Sequence, residues 1–142
     1  MKMQRFSTLL FAFLVTLALP LGTLAQQTVK QKVIFQVSDA DPAKWNLALN
    51  NASNVQTELG AQNVEIEIVA YGPGLGMLKR ESKVEGRLAE ALGNNVGLIA
   101  CENTMHSTKT TKEDMYGGIS YVLAGVTHLM KRQRESWAYI RP

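Results

Sequence analysis

The chain has 142 residues, 15 of them basic and 12 acidic, and a formal net charge of +3. It is long enough for one globular core, and its single cysteine excludes an internal disulfide framework. No basic stripe marks it as a binder of nucleic acid or of an anionic membrane.

The N-terminus reads as a secretory signal peptide. Lys2 and Arg5 make a short basic stretch, and Phe6 to Leu19 is an apolar run of 14 residues. Pro20 and Gly22 break it, and Thr23-Leu24-Ala25 places small residues at a cleavage site. The run is shorter than the roughly 20 residues that span a bilayer, so no stable membrane insertion is expected after cleavage. Residues 1–25 are thus expected to leave, and residues 26–142 to form the working domain. Its basic residues number 13 against 12 acidic, a net charge of about +1.

Gln26 to Gln31 is polar. Lys32 to Ser38 (KVIFQVS) is β-rich and is expected as the first strand. Asp41 suits a helix N-cap and Pro42 the first helical position. Trp45, Ala48, Leu49, Ala52, Val55 and Leu59 then fall on one helical face, and Gly60 ends it. Asn63 to Tyr71 is expected as a second strand, followed by a loop forced by Gly72-Pro73-Gly74. Val84, Leu88, Ala91 and Leu92 mark a second helix ended by Gly93.

Val96 to Cys101 is a short apolar third strand, and Glu102 to Thr111 a polar segment after it. Thr110 with Glu113, or Thr111 with Asp114, fits a capping box for a brief third helix. Ile119 to Leu123 is expected as a fourth strand. Gly125 to Glu135 is expected as a fourth helix with Val126, Leu129 and Met130 inward, and Trp137 to Ile140 as a fifth strand. Lys131-Arg132-Gln133-Arg134 near the end of that helix is expected to serve solubility and the helix dipole. Alternating strands and helices with short connections imply one α/β domain, with a mostly parallel sheet covered on both faces.

In open parallel sheets, ligands bind beyond the carboxyl ends of the strands. Three loops there carry notable residues: Ser38, Asp39 and Asp41; Tyr71, Gly72, Pro73 and Gly74; and Cys101 to His106. A thiolate, not a thiol, is the nucleophile. Backbone N–H groups, the Thr104 hydroxyl, the Asn103 amide or a charged His106 would stabilise it. A close Glu102 carboxylate would oppose it. Position alone leaves two readings open, since a cysteine ending an apolar strand can also simply fill core space.

Other features carry less. Cys101, Met105, His106, Met77 and Met115 are soft-metal ligand types, but no two make a recognised ligand spacing. His128 is expected to be satisfied or solvated, and Trp45 and Trp137 to pack. Gly72 to Gly76 lacks the residues of a P-loop or dinucleotide fingerprint, and reads as a tight turn.

Several segments together resemble the DsrE/DsrF-like family, in particular its small exported single-domain members. They are Lys32 to Ser38, Trp45 to Asn51, Val69 to Gly74, Ala100 to Met105 and Trp137 to Pro142. The Ala-Cys-x-Asn-Thr-Met stretch and the Tyr-Gly-Pro-Gly loop are the most specific. The resemblance implies a three-layer α/β/α fold with a five-stranded, mainly parallel sheet. It also implies a homo-oligomer, a trimer or hexamer, and a cysteine that carries sulfur as a persulfide between a donor and an acceptor protein. Cys101 matches that position. Asn103, Thr104, Tyr71, Gly72, Gly74 and Asp39 are the expected ligand-binding residues. No cofactor or metal is expected, and the place of action is periplasmic or secreted. A non-catalytic oligomeric binding module with a structural Cys101 is the alternative.

Overall fold

The computed structural model describes residues 29–142; the signal-peptide reading lies outside them. Five strands form one sheet: β1 (Gln31–Val37), β2 (Val64–Ala70), β3 (Gly97–Cys101), β4 (Ser120–Val122) and β5 (Ala138–Ile140). Their order is β4-β3-β2-β1-β5, and every pairing is parallel. The helices are α1 (Pro42–Leu59), α2 (Glu85–Gly93), α3 (Glu102–Ser107) and α4 (Gly125–Arg134), with a 3₁₀ helix over Gly72–Leu78. No helix among the described residues is long and apolar enough to cross a membrane.

The topology explains the layers. From β1 to β4 the chain steps sideways in one direction, so right-handed crossovers put its helices on one face. From β4 it returns across the whole sheet to β5, and the same handedness puts α4 on the other face. Strand residues alternate between the faces. Val33, Phe35, Val37, Leu98 and Ala100 join the large core with Trp45, Ala48, Leu49 and Leu88. Ile34, Val69 and Ile99 join a smaller core with Leu129 and Trp137. Cys101 has the parity of Ile99, so its side chain lies on the α4 face.

The caps read from the sequence are present. The Asp41 carboxylate accepts from the Ala43 N–H at 2.8 Å, and Gly60 ends α1 at φ 84°. Of the two possible capping boxes the chain uses Thr111 and Asp114, but around a single 3₁₀ turn, Lys112–Asp114.

Four expectations need correction. Leu59 is exposed, because the last turn of α1 projects past the core. Glu102 to Ser107 is helical, not a loop. Val126 and Met130 are more than half exposed, whereas Leu129 is buried as expected. The inward stripe of α4 is Gly125, His128, Leu129 and Arg132, rotated because a carboxylate on the sheet draws in its polar residues. That carboxylate is Glu67, which accepts from His128 Nε2 at 2.8 Å and from Arg132 Nε at 2.9 Å. Arg132 also lies 4.6 Å from the Trp137 ring centroid. It is therefore a structural residue rather than a solubility charge, and its hydrogen bond to Glu67 holds its pKa above the ordinary guanidinium value.

Candidate functional site

At the carboxyl edge, β3 and β4 are neighbours whose outgoing chains leave toward opposite faces. This is the switch point at which such sheets form a ligand crevice. Cys101 ends β3, and Leu123 to Gly125 follow β4. The Gly125 N–H, in the first turn of α4, donates to Cys101 Sγ at 3.3 Å. The Leu123 carbonyl lies 3.8 Å from the sulfur and can accept from the S–H of the protonated form.

A second group reaches the sulfur through a small relay. The Gly72 N–H donates to Thr104 Oγ1 at 2.9 Å. That bond fills an acceptor site on Thr104 and leaves its hydroxyl hydrogen free, and the Thr104 hydroxyl is among the groups that lower the Cys101 pKa. Gly72 holds φ +52°, which orients its N–H across the edge of the sheet and favours glycine there.

Cys101 is 5% exposed. Burial pushes its pKa up. Hydrogen bonds from the Thr104 hydroxyl and from the backbone N–H groups of Gly125, Thr104 and Asn103 outweigh burial and hold it below the ordinary thiol value. Neither Glu102 nor His106 takes part in this balance. Glu102 turns toward Lys112, 3.8 Å away, and His106 is exposed on α3.

Tyr71 extends the site toward β1. Gly125 packs on it so closely that a Cβ there would lie 3.1 Å from Tyr71 Cδ1. Burial raises the Tyr71 pKa; Tyr139 and Cys101 act the same way, while Arg141 and a hydrogen bond with Ser38 oppose it. Beyond Ser38, Gln36 Nε2 donates to Ser38 Oγ at 3.1 Å, and the Tyr139 hydroxyl donates to Gln36 Oε1. A polar row thus runs along the α4 face from β3 to β5.

The structure brings Cys101, Thr104, Gly72 and Tyr71 together. Gly74 acts through packing: a Cβ there would lie 2.3 Å from the Val37 carbonyl oxygen. The Asn103 side chain is exposed, and its N–H also donates to the Leu123 carbonyl at 3.0 Å, so the residue contributes backbone rather than its amide. Asp39 is an ion-pair residue, 3.0 Å from Lys44 and 3.8 Å from Arg141. Met77, Met105 and Met115 are buried in the main core. The sequence reading missed Gly125, Gln36, Tyr139 and Arg141. Only the pairing of β4 with β3, and of β5 with β1, brings them to this edge.

No protein-family model matches the sequence, and no curated protein does. Among solved structures, the chain is similar to the protein of unknown function MTH1491 from Methanobacterium thermoautotrophicum. The identity is 35%, over 80% of this chain and 100% of that one, with a TM-score of 0.76. The chain belongs to the same family as MTH1491. A second structure, the conserved protein of unknown function BT1422 from Bacteroides thetaiotaomicron, is 14% identical. It covers 79% of this chain and 95% of its own with a TM-score of 0.60, a likeness of fold alone. The likeness of fold to MTH1491 accords with the α/β architecture described above.

Proposed function

We propose that this protein is a sulfur carrier of the DsrE/DsrF-like kind, with Cys101 holding the sulfur as a persulfide. One observation carries the reading: the Gly125 N–H donates to the sulfur at 3.3 Å and favours its anion. In the loading step the Cys101 thiolate attacks the terminal sulfur of a hydropersulfide, R–S–SH. The S–S bond of the donor breaks, R–S⁻ leaves with the electron pair, and Cys101–S–SH forms with the proton on the transferred sulfur. An acceptor thiolate reverses the same chemistry. Donor and acceptor are other thiol compounds or proteins, and no cofactor takes part. Action in the periplasm or outside the cell follows from the signal-peptide reading.

The same reading includes a homo-oligomer, a trimer or hexamer. The exposed apolar residues Val126 and Met130, four apart on α4, and Leu123 just before that helix support it. The low exposure of Cys101 favours the second reading, a binding module with a structural cysteine. Intact mass separates the two. The reduced, folded protein treated with a sulfane-sulfur donor is expected to gain one sulfur atom, about 32 Da, and Cys101→Ser to gain none. An unmodified native protein that reacts only after denaturation would establish the structural reading instead.

A further inference from the structure

The Cys101 edge carries charges that the loading step does not use. Asp39 is shared by two cations, Lys44 at 3.0 Å and Arg141 at 3.8 Å, so the longer contact leaves the Arg141 guanidinium only loosely paired. Both cations are well exposed, with side-chain exposures of 44% and 55%. Arg141 follows β5 directly and is close enough to Tyr71 to act on its ionisation. Tyr71 lies between the cluster and the sulfur, under Gly125.

Distance then limits the ligand. β1 lies two strands from β3, and strands are spaced by about 4.8 Å. The guanidinium, seated at the Asp39 loop after β1, is therefore about 10 Å across the sheet from the strand that carries Cys101. An organic donor with a carboxylate several bonds from its sulfane sulfur spans the gap across Tyr71.

We propose that Arg141, supported by Lys44, binds the carboxylate of a low-molecular-weight organic persulfide whose terminal sulfur is delivered to Cys101. This rests on the sulfur-carrier reading and assigns its substrate class. R–S⁻ is the leaving thiolate, and its carboxylate stays paired with Arg141 while the S–S bond breaks. Arginine suits the task because its planar fork meets a carboxylate through two hydrogen bonds.

The test compares the persulfides of N-acetylcysteine and of its methyl ester, which differ by one negative charge. The readout is the initial rate of single-sulfur addition to Cys101 by intact mass. Wild type is expected to load from the acid about tenfold faster than from the ester, and Arg141→Gln to bring the ratio close to one. An equal ratio in wild type, or an unchanged preference in Arg141→Gln, overturns the subsite while leaving the carrier intact. Failure of both donors to load wild type overturns the carrier reading itself.

Discussion

Gly74→Ala is expected to destabilise the protein by about 3 kcal/mol, the upper part of the range for overpacking a close-packed site. The added Cβ would fall 2.3 Å from the Val37 carbonyl oxygen, 2.6 Å from its carbonyl carbon and 2.9 Å from Ser38 Cα. All three are backbone atoms, so no side-chain rotation relieves the clash. Either the end of β1 or the Gly72–Leu78 turn must move. For a domain of this size the loss corresponds to a melting temperature lower by about 10 °C or more. Gly86→Ala is the matched control, because a Cβ there meets nothing within 4 Å. Thermal unfolding that places the two variants together would show that the close approach of Gly74 to β1 is not a constraint.

Glu67→Ala is expected to cost about 2–3 kcal/mol. Removing one partner of a largely buried ion pair leaves the other charge uncompensated, a loss of roughly 3–5 kcal/mol when burial is complete. Here the Glu67 side chain is 12% exposed and Arg132 25%, so some of that loss is returned by solvent. Both His128 and Arg132 lose their acceptor on the sheet. The consequence reaches the site, since these contacts seat α4, and the first turn of α4 carries the N–H bonded to Cys101. The variant is therefore expected to raise the Cys101 pKa as well as to unfold at lower denaturant. A variant with wild-type stability and an unshifted thiol would separate the ion cluster from the site.

Much of the fold was legible from local signals. Asp41-Pro42 and Gly60 punctuate α1 as capping chemistry dictates. The apolar runs of β1 to β3 mark a parallel sheet buried on both faces. Two features were not legible. α3 has six mostly polar residues and no apolar period to announce it. The orientation of α4 was hidden because His128 and Arg132 face inward to meet Glu67, a partner about sixty residues away in sequence.

The site divides in the same way. Cys101, Thr104, Tyr71 and Gly72 could be chosen because they end strands or follow them closely at the ligand edge. Gly125 could not, because its role is a backbone N–H delivered by a strand pairing. Gln36, Tyr139 and Arg141 depend likewise on β5 crossing the sheet to lie beside β1. Asp39 was chosen for its position, and only its neighbours show that it balances cations.

The fold favours the Cys101 anion and holds its thiol below the ordinary pKa. A depressed pKa also gives the sign of the linkage: the thiolate's contribution to stability is complete above the unfolded value of about 8.5, and is lost as pH falls through the folded value. The most direct test is the pH dependence of alkylation of the native protein by iodoacetamide, in wild type and in Thr104→Val. The midpoint for wild type should lie below about 8.5, the value of an ordinary thiol, and should move upward in Thr104→Val. A wild-type midpoint at or above that value, or one indifferent to Thr104, would contradict the claim.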